Sequence, residues 1–250
     1  NDPIVYMPTD ISPAGLMAVY GALGRKAEGE NVAVKISTGE PGGSHFLSTS
    51  LIGDFVKSID GTFVECNTAY GGSRASAAMH YQVAEDHGFT AIAPVVILDE
   101  TESMTIPVAG GSRLSENYVG ARFSEYDFHV VLSHFKGHAM GGFGGALKNL
   151  SIGYASSQGK SWIHTGGTDT SGFSGDQTAF LESMAEAAKS VVDYVGDDIL
   201  YINVMNHLSV DCDCDSSPAA PTMADIAILA SLDPVALDQA CVDLVYAAPD

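Results

Sequence analysis

Along this chain, short runs of β-branched and apolar residues alternate with longer stretches whose apolar positions recur at helical spacing. The pattern predicts a strand over residues 4–7. A helix follows, opened by Ser12-Pro13 and carried by Leu16, Val19, Tyr20 and Leu23. Strands are predicted over 31–37, 62–66, 93–98 and 128–133, with helices over 50–59 and 74–87 between them. The clearest helix spans 176–195, where Phe180, Met184, Ala187, Val191 and Tyr194 share one face. Strands over 199–204 and 226–229 and a helix from Pro234 complete the reading. Asp233 precedes that proline as a helix N-cap. Residues 153–174 are rich in Gly, Ser and Thr and lack periodicity, which predicts a long functional loop.

Such alternation predicts an α/β fold: a mostly parallel sheet flanked by helices in Rossmann-like layers. Ligands of open α/β sheets bind beyond the carboxyl ends of the strands, so the site is expected there. A single α/β unit over 1–250 is the expectation, the alternative being two sub-domains split near 115–125 or 195. The chain opens on Asn1-Asp2-Pro3 and stops as an apolar helix finishes, so the native protein is expected to extend beyond residue 250. No apolar run reaches the roughly 18 residues of a transmembrane helix, and a cytoplasmic location is expected.

Charge narrows the function. Against 31 acidic residues stand 11 Lys and Arg, for a formal net charge of −20. No basic stripe exists to displace counterions, which argues against nucleic acid and against anionic membrane as partners. The exception is residues 134–164, HFKGHAMGGFGGALKNLSIGYASSQGKSWIH, which hold three of the eight histidines and three of the lysines. Imidazoles, ammonium groups and permissive backbone together suit a metal or an anionic small molecule.

Within that segment, His134 and His138 are four residues apart but lack the glutamate of HExxH. Gly141, Gly142, Gly144 and Gly145 let backbone amides approach an anion, and the helix start that follows adds a favourable dipole. Lys136, Lys148 and Lys160 supply charge. Arg74 opens a helix after a glycine turn and is suited to clamp a carboxylate, with His80 six residues on. Cys66 and Cys241 sit in apolar runs and read as buried thiols. Cys212 and Cys214, set between Asp211, Asp213 and Asp215, read as a soft metal corner or a redox site, although thiols two apart do not pair easily.

The stretches VAVKISTGE, FVECNTAYGGSR, SHFKGHAMGGFGGALKNLSIGYAS and CDCD followed by DIAILASLDPVALDQAC resemble domain of unknown function 362, the uncharacterised iron–sulfur-centre proteins. That resemblance covers about residues 30–245 and implies an α/β fold. The iron–sulfur label reflects ferredoxin-type cysteine runs, and this chain has none, so no cluster is expected within it. A more distant similarity is to the nickel-pincer lactate racemase family, carried by His138, Gly142-Phe143, Gly144-Gly145, Lys148 and His164 at matching intervals. It implies Lys148 as covalent cofactor tether, His164 as metal ligand and His138 as proton carrier. Gly144 stands where that family has serine, and its second acid/base histidine has no counterpart here, Asp99-Glu100 falling near that region.

The resulting expectation is a metal- or cofactor-dependent isomerase, racemase or oxidoreductase acting on a small hydroxy or keto acid. His138, Arg74 and His80 are the catalytic candidates. Lys148, Lys136 and the four glycines are expected to hold the cofactor. His164, His134, Cys212 and Cys214 are the ligand candidates for an unidentified metal, nickel or iron. The alternative is a non-catalytic metal-binding or electron-transfer module that uses Cys212 and Cys214 with a ferredoxin-type partner.

Overall fold

The computed structural model describes residues 2–249. In chain order its regular elements are β1 (Val5–Tyr6), α1 (Pro13–Ala22), β2 (Val32–Lys35), α2 (Thr49–Ser58), β3 (Gly61–Glu65), α3 (Ala77–Asp86) and β4 (Val95–Ile97). Two hairpin strands, β5 (Ser103–Pro107) and β6 (Glu116–Gly120), precede β7 (Phe128–His134), β8 (Lys136–His138) and β9 (Gly142–Gly144). The short α4 (Ala146–Lys148) runs into a π turn over Asn149–Gly153. Then come α5 (Ser157–His164), α6 (Gln177–Val195), β10 (Ile199–Val204), β11 (Ile228–Ser231) and α7 (Pro234–Ala247).

Seven strands form one sheet in the order β1-β11-β10-β7-β2-β3-β4. β10, β7, β2, β3 and β4 are parallel, and β11 runs antiparallel to both β10 and β1. The central strands bury both faces, which explains their continuous apolar runs. Val34, Val130 and Ile202 meet α1, α2 and α3 on one side. Val64, Val131 and Tyr201 meet the π turn, α6 and α7 on the other.

From β2 the chain builds outward through β3 to β4, then returns to place β7 and β10 on the other side of β2. The sheet order therefore reverses between β2 and β7, and a crevice opens beyond their carboxyl ends at Lys35 and His134.

Most predicted elements lie within a residue or two of their expected positions. Asp233 caps α7 by accepting the Ala236 amide at 2.8 Å. Three features differ. The helix expected over 74–87 begins at Ala77, because Arg74 is held in an irregular turn by its ion pairs. The predicted loop over 153–174 contains α5, whose N-cap Ser156 accepts the Gly159 amide and whose Ile163 packs on α6. The hairpin pairs β5–β6 and β8–β9 were not predicted, since β5 carries Ser and Pro and the second pair is half glycine.

Candidate functional site

A cavity of about 130 Å³ occupies the crevice between the ends of β2 and β7. Its walls hold Lys35, Arg74, Lys136, Lys148 and Lys160. Almost half of the eleven cations of an acidic chain thus face one small space, and that concentration separates this cavity from the rest of the surface.

Three of the five are matched by carboxylates. Lys35, almost wholly buried at the end of β2, donates to Glu65 Oε1 at 3.0 Å, Asn149 Oδ1 at 2.9 Å and the Ile36 carbonyl at 2.7 Å. All three ammonium donors are thereby used. Gly153 makes this possible: a Cβ there would lie 2.6 Å from Asn149 Oδ1 and 2.8 Å from Lys35 Nζ. Burial alone would raise the Glu65 carboxyl, but Lys35, His80 and Arg74 bring it down to about 2. Arg74 is committed to Glu40 at 2.8 Å, the Tyr70 hydroxyl at 2.9 Å and Glu65 at 3.5 Å. It lines the cavity chiefly as part of that network. Lys136 pairs with Asp213 at 3.2 Å and donates to the His134 carbonyl.

Lys148 and Lys160 remain. Lys160 donates to the Ala155 carbonyl at 2.6 Å and meets no carboxylate among the described residues. Lys148 Nζ has no hydrogen bond or ion pair among the described residues. Two uncompensated cations in a confined space are the electrostatic signature of a site for an anion.

The glycine loop divides in two. Gly144 and Gly145 line the cavity. Gly141 and Gly142, expected to bind the cofactor, lie outside it and shape the β8–β9 turn, where Gly142 adopts φ 77°. The helix start that follows is not open to a ligand either. Asp238 on α7 accepts the Ala146 amide at 2.8 Å and the Leu147 amide at 2.9 Å, taking the place an anion would have. Gly145 is required for this approach, since a Cβ would fall 2.5 Å from Asp238 Oδ1. Asp238 also accepts from Asn203 at 2.7 Å.

The histidines are set apart by their partners, because an amide can only donate and a carbonyl can only accept. His164 donates from Nδ1 to the Lys160 carbonyl at 2.7 Å, which leaves the Nε2 lone pair free. Its ring is stacked on Phe180 and edged by Phe173, with centroids 4.7 and 4.8 Å away. Burial pushes it down to about 4 despite the Lys160 carbonyl, and Lys148 and His138 add to the effect, so it is neutral near pH 7. His138 is the reverse: its Nδ1 accepts the amides of Gly141 at 2.9 Å and Met140 at 3.2 Å, so the proton of the neutral ring is on Nε2. The cavity therefore has one imidazole acceptor and one imidazole donor.

His134 and His80 are placed otherwise than their expected roles require. His134 faces Asp213 from Nδ1 at 2.9 Å and the Asn206 carbonyl from Nε2 at 2.6 Å, so both ring nitrogens are occupied by protein partners and neither is turned to a metal. His80 is fully buried behind the cavity wall, between Thr38 and Asn67, and burial pushes it down to about 3. It holds the loop that carries Thr38.

Beyond the strand ends, Cys212 and Cys214 lie on a turn closed by the Asp215 amide and the Cys212 carbonyl at 3.0 Å. One donor atom each of Cys212, Cys214 and His138 lie within 4.8 Å of one another. The Cys214 amide donates to Cys212 Sγ at 3.3 Å. Hydrogen bonding from Cys214 draws the Cys212 thiol well below its ordinary value against its burial, and Lys148 and His138 reinforce this. Cys214, holding the shared proton, is raised. Cys66 and Cys241 are buried thiols, each pushed up to about 12 by burial. Asp213 between the pair is drawn down by Lys136 and His134 despite its burial.

The anchoring roles of Lys35, Asn149 and Asp238 are not among those expected from the sequence. A lysine ending the otherwise apolar strand VAVK was a visible signal for the first. The other two act through tertiary contacts that no local pattern announces.

The family model described as Domain of unknown function (DUF362) matches residues 32–243. No curated protein matches. Among solved structures, the lactate racemase apoprotein from Thermoanaerobacterium thermosaccharolyticum is similar, with 16% identity and a TM-score of 0.48. The similarity covers 79% of this chain and 50% of that one, so the chain spans half the length of that structure. Among the described residues, no helix is long and apolar enough to cross a membrane.

Proposed function

This chain belongs to the DUF362 family, and from that premise we propose that its cavity binds a small anionic molecule and moves a proton on it. The observation that carries this reading is the pairing of two lysines without carboxylate partners among the described residues, Lys148 and Lys160, with two imidazoles of opposite tautomer. The lysines would hold a phosphate or carboxylate. His164 would accept a proton at Nε2, and His138 would donate a hydrogen bond from its Nε2–H to an oxygen of the bound molecule. A hydroxy or keto acid of a few carbons fits both the volume and the charge.

The residues also fit an anionic cofactor that carries nickel or iron. Lys148 is unengaged and within electrostatic reach of His164, whose free Nε2 is backed by a carbonyl acceptor at Nδ1, as ligating histidines commonly are. Such a group would supply Lewis acidity beside the substrate. The reaction class is then isomerase, racemase or oxidoreductase.

The test uses protein purified anaerobically without a histidine tag. Solvent deuterium uptake at the carbon bearing the lactate hydroxyl is followed by NMR, with bound metal and the mass on Lys148 measured on the same sample. Uptake that is lost in His164→Ala supports the reading. Uptake that is absent from the wild type, or unchanged in the variant, contradicts it.

A further inference from the structure

We propose that Cys212 and Cys214 form a reversible dithiol–disulfide pair at the mouth of the cavity, with Cys212 as the attacking sulfur. The Asp215 amide bonds to the Cys212 carbonyl at 3.0 Å, which curls the chain so that two side chains of one short loop face each other. The two sulfurs lie within 4.8 Å. The residue between them is pinned: Asp213 is gripped by His134 and Lys136, and its carbonyl accepts the Glu40 amide at 3.1 Å. The sulfurs are thus presented from a turn fixed at its centre.

The surroundings of Cys212 favour a thiolate. The Cys214 amide points at its sulfur from 3.3 Å. His138, its Nδ1 occupied by two amides, faces this corner with a protonated Nε2. Lys148 adds a charge that no carboxylate cancels. These features activate a cysteine nucleophile. Both thiols are partly exposed, whereas Cys66 and Cys241 are buried.

The oxidant is a small-molecule disulfide, RSSR. The Cys212 thiolate attacks one of its sulfurs, the S–S bond breaks, and RS⁻ leaves and takes up a proton as the Cys212 mixed disulfide forms. Cys214 then loses its proton and attacks Cys212 Sγ, releasing the second RSH. Two electrons pass from the protein dithiol to RSSR, giving one protein disulfide and two thiols. A ring closed between residues two apart is strained, which makes the bond easy to reduce again and suits a reversible pair.

The test equilibrates the wild-type protein, anaerobically, with graded ratios of reduced to oxidised glutathione. Free thiols are then alkylated and mapped by mass spectrometry, and bound metal is measured in parallel. The expected result is joint loss of the Cys212 and Cys214 thiols as one protein disulfide, restored by reduction, with Cys66 and Cys241 still free. Cys214→Ser is expected to trap glutathione on Cys212 roughly tenfold faster than Cys212→Ser traps it on Cys214. Independent glutathionylation of the two thiols without a disulfide at any ratio overturns the proposal. So does a stoichiometric metal that blocks alkylation of both cysteines. Either result is readable on the wild type alone and does not depend on the ligand of the cavity.

Discussion

Asp238 reaches across from α7 to accept the Ala146 amide at 2.8 Å, closing a helix start that would otherwise face an anion with open N–H groups. The same carboxylate takes the Leu147 amide and the Asn203 side chain. The glycine loop is thereby a fixed wall of the cavity, and the proposed recognition of an anion rests on the lysines.

Replacing Asp238 by Ala removes the shared acceptor of three donors, the Ala146 and Leu147 amides and the Asn203 side chain, two of these bonds being buried. We expect Asp238→Ala to lower stability by about 2–4 kcal/mol, read as a shift in urea midpoint with unchanged slope. A shift within experimental error would mean that water or a neighbour replaces the carboxylate, and the wall would not be fixed as described.

Lys35 and Glu65 form a buried ion pair at 3.0 Å. Burial pulls the Lys35 amine below its ordinary value, with Glu65 opposing that shift. Lys35→Met leaves Glu65 with Arg74 as its cationic partner at 3.5 Å. A loss of about 3 kcal/mol is expected by chemical denaturation. In the double variant with Glu65→Gln, much of that loss should return; a double variant as unstable as the sum of the singles would refute the pairing as the cause.

Three histidines are held below the ordinary value of 6.5 by burial: His80 to about 3, and His129 and His164 to about 4. Between these values and 6.5 the unfolded chain binds protons that the folded chain refuses, so stability is complete above pH 6.5 and falls as pH drops toward 4. Thermal unfolding between pH 7 and 4 should show this decline. His129, bonded to the Tyr154 hydroxyl at 2.8 Å outside the cavity, can be probed separately, and His129→Gln should flatten the slope. A variant with the wild-type slope would remove His129 from this account.

What the sequence disclosed and what it hid follow from one distinction. Strands such as Ile199–Val204 and helices such as Gln177–Val195 announce themselves because burial of a face repeats at a fixed period. The lysines and glycines of residues 134–164 stood out against an acidic chain, and the cavity does gather there. Hidden were the partners that change a residue's task. Nothing near His134 in the chain foretells that Asp213, 79 residues on, occupies its Nδ1. Nothing near Gly145 foretells Asp238, carried in from α7. The helix Ser157–His164 was hidden for a different reason: its Ser, Gly and Lys content is that of a loop, and packing on α6 overrides it.

The central claim is that uncompensated lysines make this cavity a site for an anion, and Lys148 tests it most directly because its ammonium group makes no hydrogen bond or ion pair among the described residues. Calorimetric titration with inorganic pyrophosphate, at two salt concentrations, should show binding that weakens with salt. Lys148→Ala should reduce the affinity by about tenfold or more, with the unfolding midpoint unchanged. Equal affinity in wild type and Lys148→Ala, or no binding by the wild type at low salt, would contradict the account.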